Sequence, residues 1–143
     1  MALKNFLVAE VMTPDPVIIE SEALLAEAER LMEEYRVRRL PVLENGQLVG
    51  IISKGDVREA RMAELAGRHP YEPVTEERWL TVAEAMTSPV ITVTPQTTLV
   101  EAAQLMLEHK IGGLPVLENE QLVGILTETD VLRLLVQEAQ ESE

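Results

Sequence analysis

The chain of 143 residues is 46% hydrophobic and 26% charged, which is typical of a globular protein with its own core. Its formal net charge of −13 argues against nucleic acid or an anionic membrane as a main partner, because both require a basic surface. It contains no cysteine, which excludes disulfides and thiolate metal sites.

The predicted elements occur twice along the chain. A shift of 74 residues aligns the first repeat (8–57) with the second repeat (82–131), and 24 of the 50 aligned positions are identical. The longest shared stretch, LPVLENGQLVGI at 40–51 and LPVLENEQLVGI at 114–125, differs at one position. Two copies are too few for a solenoid, so we expect a pseudo-symmetric pair that shares a core.

Each repeat is predicted to contain a short strand and then an amphipathic helix. The strands are PVIIE (16–20) and VITVT (90–94), β-rich runs beside prolines. Ser21 stands where the N-cap of the first helix is expected, and Pro95 precedes the second helix. Both helices carry an apolar face at helical spacing, formed by Leu24, Leu25, Ala28, Leu31 and Met32 and by Leu99, Ala102, Ala103, Leu105 and Met106.

A β-hairpin and a closing helix complete each repeat. The first hairpin turns at Asn45-Gly46, a pair typical of tight turns because both residues tolerate positive φ. The second has Asn119-Glu120, which predicts a slightly different turn. The closing helices are expected to begin near Ser53 and Thr127, so each repeat reads β-α-β-β-α. The last helix has an apolar face at 131–136 that is broad enough to pack beyond its own repeat.

The doubled pattern resembles a tandem pair of CBS domains, also called a Bateman module. The resemblance is carried by MT…V, A-x-x-L-M, L-P-V-L, L-V-G-I and [ST]-x-x-D, which occur twice in the same order over about residues 7–137. It implies an α+β fold of two β-α-β-β-α units packed through their sheets, with two clefts between them. The implied boundaries are a first CBS domain at 7–66, a connector at 67–80 and a second CBS domain at 81–140.

Members of this family commonly bind adenine nucleotides or related adenosyl ligands and regulate an enzyme or transporter. The resemblance therefore implies a stand-alone regulatory module that binds an AMP, ADP, ATP or S-adenosyl-type ligand and requires no cofactor. It also implies a homodimer and a regulated partner protein that the sequence does not name. The alternative is a structural or assembly module without a ligand. A nucleic-acid binder acting through the arginines of the first repeat is disfavoured by the acidic total charge.

The resemblance points to Ser53 with Asp56, and to Thr127 with Asp130, as ligand contacts. A carboxylate can accept hydrogen bonds from both ribose hydroxyls, and a hydroxyl with free N–H groups at a helix start can bind phosphate. The same spacing is also that of a capping box, which needs no ligand.

The residues before the two hairpins differ in charge. Arg38-Arg39 in the first repeat aligns with Gly112-Gly113 in the second. The resemblance places basic residues here against phosphate, which the planar fork of arginine binds through two oxygens. The alternative is a surface pair that counters nearby glutamates and is worth about 0–1 kcal/mol. We expect unequal clefts, with phosphorylated ligands preferred at the arginines and a less charged ligand, or none, at the glycines.

The strand after each Met-Thr pair completes the set of predicted contacts, because the resemblance brings main chain near it to the adenine. Ile18 either covers a base or is buried in the core. The predicted ligand-binding residues are Thr13, Ile18, Arg38, Arg39, Pro41, Ser53, Asp56, Thr87, Thr92, Gly113, Pro115, Thr127 and Asp130.

We expect neither an enzyme nor a metal site. The sequence contains no GxxxxGK[ST], GxGxxG or HExxH motif, and His69 and His109 do not occur at a metal-ligand spacing. Tyr71 and Trp79 lie in the connector, where they either fix it on the core or pad a ligand-binding surface. The sequence has neither a membrane span nor the pattern of a signal peptide, so we expect a cytoplasmic protein.

Overall fold

The structure, a computed structural model, describes residues 2–66 and 80–141. The interpretations of His69, Tyr71 and Trp79 concern positions outside these ranges. Within these ranges, a short 3-10 helix at Leu3–Asn5 precedes six helices and six strands. In chain order these are α1 (Val8–Val11), β1 (Thr13–Pro14), β2 (Ile19–Glu20), α2 (Leu25–Tyr35), β3 (Arg39–Glu44), β4 (Gln47–Ser53), α3 (Lys54–Ala66), α4 (Val82–Ala85), α5 (Leu99–His109), β5 (Gly113–Glu118), β6 (Gln121–Thr127) and α6 (Glu128–Glu141).

The chain forms two compact units that do not coincide with the sequence repeats. Unit I consists of Met1–Pro16 and Ile91–Glu143, and unit II consists of Val17–Val90. The beginning of the first repeat therefore belongs to the unit built on the second hairpin. The beginning of the second repeat belongs in turn to the unit built on the first hairpin. The two repeats exchange their N-terminal segments.

Unit II is a sheet in the order β2-β3-β4 covered by α2. Strand β2 is parallel to β3, and β3 pairs with β4 as the predicted antiparallel hairpin. The exchanged segment adds to the free side of β4, where Ile51 and Thr87 donate to each other's carbonyl oxygens at 3.1 and 2.9 Å. The core comprises Ile19, Leu25, Ala28, Met32, Leu40, Val42, Ile52, Val57 and Val82.

Unit I repeats this arrangement around the second hairpin. Its sheet has the order β1-β6-β5, and β1 is the exchanged segment, with Thr13 opposite Ile125. Val93 forms a parallel bridge to Val116 at the position that β2 occupies in unit II. The core comprises Val8, Val93, Leu99, Ala102, Met106, Leu114, Val116 and Leu126.

The predicted α+β class, the two hairpins and the closing helices are confirmed. The strands predicted at 16–20 and 90–94 are shorter in the structure. The first comprises Ile19–Glu20, and the second is reduced to the single bridge at Val93. Prolines flank both runs and have no N–H with which to extend a ladder. No helix among residues 2–66 and 80–141 is long and apolar enough to cross a membrane.

The prediction that Ser21 caps α2 is wrong. The N-cap is Leu24, whose side chain accepts no hydrogen bond. Ser21 is buried, and its N–H donates to the Leu43 carbonyl at 2.9 Å, so it belongs to the sheet. In the second repeat Thr98 is the N-cap, and its hydroxyl accepts from the Glu101 N–H at 3.2 Å.

The prediction of two different hairpin turns is also wrong. Asn45 and Gly46 have φ of 52° and 77°, and Asn119 and Glu120 have φ of 51° and 66°. The hairpins share one register, which leaves two residues for the loop in each. A two-residue loop of this type requires positive φ at both positions, so Glu120 adopts it in spite of its Cβ.

Candidate functional site

The two [ST]-x-x-D motifs form capping boxes at the starts of α3 and α6. The Ser53 N–H donates to Oδ2 of Asp56 at 2.9 Å, and the Asp56 N–H donates to Oγ of Ser53 at 3.0 Å. Thr127 and Asp130 form the same pair at 2.9 and 3.3 Å. The box satisfies two N–H groups that a helix start leaves without partners. In each box Oδ2 of the aspartate is the oxygen that accepts the N–H of the capping residue.

A threonine from the exchanged segment reaches each aspartate. The hydroxyl of Thr13 donates to Oδ1 of Asp130 at 3.0 Å in unit I. In unit II the hydroxyl of Thr87 lies 3.3 and 3.4 Å from the two carboxylate oxygens of Asp56. The threonine of each repeat therefore contacts the aspartate of the other repeat.

A glycine in the second strand of each hairpin admits this threonine. A Cβ at Gly124 would lie 3.0 Å from the Thr13 carbonyl oxygen and closer still to the sulfur of Met12. A Cβ at Gly50 would meet the Thr87 carbonyl oxygen and Met86 in the same way. The Met-Thr segment can approach the hairpin only where the strand has no side chain. A glycine inside a strand at the same place in both repeats was a signal for this close contact.

The two aspartates differ in their surroundings. The side chain of Asp130 is 4% exposed, and Nη1 of Arg133 lies 3.5 Å from its Oδ1. Asp56 is half-buried. The position that aligns with Arg133 in the first repeat is Glu59. Sequence reasoning missed the contact of Arg133, although its i,i+3 spacing from Asp130 on the predicted closing helix was a signal for it.

Basic residues occupy the main-chain positions next to the start of α3. Arg38 is exposed, and its carbonyl oxygen accepts the Lys54 N–H at 2.9 Å. Arg39 is half-buried and pairs with Ser53 across the hairpin. Three cationic residues are thus adjacent to the start of α3 along the main chain.

The corresponding corner of unit I has the same backbone and a different charge. The Gly112 carbonyl oxygen accepts the Glu128 N–H at 3.0 Å, and Gly113 pairs with Thr127. Two arginines and a lysine are replaced here by two glycines and a glutamate. The predicted inequality of the two sites rests on this replacement, which alters the charge without altering the hydrogen bonds of the main chain.

The other predicted ligand contacts differ in how far they are buried. Pro41 and Pro115 are fully buried, and Thr92 is half-buried. Ile18 is 40% exposed while Ile19 is 4% exposed and belongs to the core, so the alternative of core burial for Ile18 is wrong. Unit II brings together Arg38, Arg39, Ser53, Asp56 and Thr87, with Ile18 and Pro41 elsewhere in its sheet region. Unit I brings together Thr13, Gly113, Thr127 and Asp130, with Thr92 and Pro115 outside these contacts.

The glutamates of α2 lie on an exposed flank, as their helical positions predict. Arg30 donates to both oxygens of Glu27, at 2.6 and 3.1 Å, and to Glu34 at 2.7 Å. The hydrogen bond from Arg30 lowers the pKa of the Glu27 carboxyl below its usual range. Within the described part of the chain, no group of three or more acidic or histidine side chains is arranged to hold a metal ion.

The fold and the paired motifs define a duplicated α+β module with a capped aspartate in each half. The sequence matches the family description of the CBS domain at residues 8–63 and again at 82–137. The chain belongs to the CBS domain family and contains a pair of these domains.

Two curated relatives differ in how much of their own length the pair occupies. An inosine-5'-monophosphate dehydrogenase from Korarchaeum cryptofilum is 35% identical over 129 residues, which cover 90% of this chain. This chain spans only 23% of the length of that dehydrogenase. The CBS domain-containing protein YhcV from Bacillus subtilis is 30% identical over 124 residues, which cover 87% of this chain and 81% of YhcV.

Two solved structures resemble the whole module. The CBS domain pair of protein MJ0100, in complex with 5'-methylthioadenosine and S-adenosyl-L-methionine, is 28% identical with a TM-score of 0.77. The match covers 92% of this chain and 97% of that one. CBSX2 in complex with AMP is 30% identical, also with a TM-score of 0.77, and the match covers 93% and 98% of the two chains.

Proposed function

We propose that this CBS pair is a regulatory module that binds an adenine nucleotide or related adenosyl ligand and signals its occupancy to a partner protein. The observation that carries the proposal is that the main chain places three basic residues, Arg38, Arg39 and Lys54, next to the helix start that Asp56 caps. The similar structures with AMP, 5'-methylthioadenosine and S-adenosyl-L-methionine support the adenosyl class of ligand.

Each group at this corner has a defined task in the proposed complex. Asp56 accepts the ribose hydroxyls, because its carboxylate is half-buried and retains acceptor capacity on Oδ1. Arg38 and Arg39 bind phosphate oxygens through charge-assisted hydrogen bonds. Ile18 offers exposed apolar surface to the base. Thr87, Ser53 and Pro41 position these groups on the sheet and at the helix start.

The counterparts in unit I correspond to the second predicted cleft, for which the alternatives are a less charged ligand or none. Thr13, Thr127 and Asp130 repeat the arrangement of Thr87, Ser53 and Asp56. Gly113 aligns with Arg39, so this corner lacks the arginine that the first repeat has at the same position. Thr92 and Pro115 complete the proposed set.

Isothermal calorimetry against AMP, ADP, ATP, S-adenosylmethionine and cyclic dinucleotides tests the proposal. We expect binding of at least one of these compounds to the unaltered chain, and loss of binding in Asp56→Asn. Arg58→Gln serves as a control, because it removes an exposed cation of α3 outside the proposed phosphate contacts. No heat and no thermal shift with any compound at millimolar concentration would overturn the proposal.

A ligand-free assembly module is the second candidate function. Both capping boxes are complete without any ligand, which is the observation in its favour. In that case Asp56→Ala would lower the free energy of unfolding by about 0.5–2 kcal/mol, as the loss of a cap does, and there would be no binding to lose. Chemical denaturation of Asp56→Ala measures the cap, and calorimetry of the unaltered chain decides between the two functions.

We also propose that the module acts as a homodimer, in the cytoplasm, and regulates chemistry performed by its partner. Apolar side chains of α3 and α6 are exposed: Met62, Leu65, Leu132, Leu135 and Val136 are between 43% and 63% accessible. Light scattering should show a dimer that Leu132→Glu dissociates. Leu107→Glu, at an exposed position of α5, should leave it intact. Along the sequence we retain 7–66 and 81–140 as the two domains, with a connector at 67–80.

A further inference from the structure

The two aspartates that begin α3 and α6 differ in how many donors already hold them. We propose that Asp130 is a structural anchor whose acceptor positions are filled by the chain itself. The module then binds one adenosyl ligand, at Asp56 and not at Asp130. The ligand half of this inference rests on the proposed function. The anchor half rests only on the contacts of Asp130.

The chain itself holds both carboxylate oxygens of Asp130. The N–H and the hydroxyl of Thr127 donate to Oδ2 at 2.9 and 3.1 Å. The hydroxyl of Thr13 donates to Oδ1 at 3.0 Å, and Nη1 of Arg133 makes a longer contact of 3.5 Å with the same oxygen. A carboxylate has about four lone-pair positions. Hydrogen bonds fill three of them and the Arg133 cation lies beside the remaining one, so the two hydroxyls of a ribose have no pair of free positions to bind.

The carboxylate of Asp56 is held less completely. Among residues 2–66 and 80–141, its donors are the Ser53 N–H and the hydroxyl of Thr87. That hydroxyl is shared between both oxygens at 3.3 and 3.4 Å, which is weaker than the single 3.0 Å bond from Thr13 to Asp130. A ribose hydroxyl can replace the Thr87 hydroxyl here at little cost, because one neutral donor takes the place of another.

The burial of the two aspartates and the charges near them also favour a ligand at Asp56 over one at Asp130. The side chain of Asp130 is 4% exposed, whereas Asp56 is half-buried. Unit I places a cation, Arg133, on its aspartate and an anion, Glu128, at the helix start. The first repeat inverts both signs, with Glu59 and Lys54 at the aligned positions. In unit I the positive charge of Arg133 therefore lies beside the aspartate. In unit II the positive charge of Lys54 belongs to the start of α3, where a phosphate can bind.

Calorimetric titration of the full chain with AMP tests the ligand half. We expect one site per chain, weakened at least about tenfold in Asp56→Asn, since a hydrogen bond to a charged group is lost. Asp130→Asn should keep the affinity, and Arg133→Gln, which leaves the buried carboxylate in place, should keep it too if the first variant does not fold. Two sites per chain would overturn the inference, as would loss of binding in Arg133→Gln with retention in Asp56→Asn.

Thermal unfolding without ligand tests the anchor half. Thr13→Val and Thr87→Val are matched, since each removes one hydroxyl from the same place in a repeat. We expect Thr13→Val to lower the unfolding temperature more than Thr87→Val does. Equal losses, or a larger loss for Thr87→Val, would overturn the anchor. If AMP does not bind the unaltered chain, the single AMP site is overturned. The proposed function is overturned only if the other compounds also fail, and the unfolding pair still decides the anchor.

Discussion

The hydroxyl of Thr13 donates a hydrogen bond to Oδ1 of Asp130, 117 positions further along the chain, at 3.0 Å. Its counterpart is the contact between Thr87 and Asp56, which are 31 positions apart. Both contacts follow from the exchange of the Met-Thr segments between the repeats. Each hairpin is completed by a segment that the sequence assigns to the other repeat.

The close approach of Met12 to Gly124 predicts a steric effect of adding a methyl group. Gly124→Ala and Gly50→Ala should each lower the free energy of unfolding by about 1–3 kcal/mol, because the new Cβ meets a backbone carbonyl as well as a methionine. Gly55→Ala is the control, since its Cβ would meet only Oγ of Ser53 at 3.6 Å and lies in a helix. It should be neutral or stabilising by up to about 1 kcal/mol. Urea denaturation monitored by circular dichroism measures all three, and equal stabilities would contradict the steric account.

The second hairpin turn predicts a stabilising substitution. Glu120 has φ of 66°, a conformation that costs a residue with a Cβ about 1–2 kcal/mol. Glu120→Gly should therefore raise the free energy of unfolding by about 1 kcal/mol, and Gly46→Glu should lower it by a similar amount. Chemical denaturation of the two variants provides the measurement. The two substitutions must change the free energy of unfolding in opposite directions. A loss of stability in Glu120→Gly would show that the φ of Glu120 is not a source of strain.

The basic corner of unit II predicts selectivity for phosphate. Arg38→Gln should weaken AMP binding about tenfold, because a charge-assisted hydrogen bond is removed, and should leave the affinity for adenosine unchanged. Calorimetry with the two ligands gives the comparison, with Arg58→Gln as the control. Equal weakening toward AMP and adenosine would place Arg38 away from the phosphate.

The pair of Glu27 and Arg30 predicts a local pH dependence. The pKa of Glu27 is lowered in the folded chain by its hydrogen bond from Arg30, so the pair stabilises the fold above the unfolded pKa of glutamate. That contribution is lost as the pH falls through the lowered folded value. A carboxyl titration by NMR should show the Glu27 midpoint rise in Arg30→Gln. An unchanged midpoint would assign the lowered pKa to another cause.

The helices and hairpins could be predicted from the sequence because their signals are local. The apolar spacing from Leu25 to Met32 and the Asn45-Gly46 turn each act within a few residues. The two wrong predictions, the second hairpin turn and the N-cap of α2, also concern local features, and each has a physical cause. Glu120 accepts an unfavourable φ because the paired strands around it set the loop length, and Ser21 is taken from the helix start by the sheet.

The sequence by itself determined the duplication, the CBS family, the α+β class and the residue types at both candidate sites. Tertiary structure alone decided which repeat supplies the threonine to each aspartate. VAEVMT and VAEAMT are nearly identical, and so are the two hairpins, so any local pattern fits both pairings equally. It also decided that Asp130 is 4% exposed while Asp56 is half-buried, because burial depends on residues far away in the chain such as Thr13, and the shared motif carries no record of them.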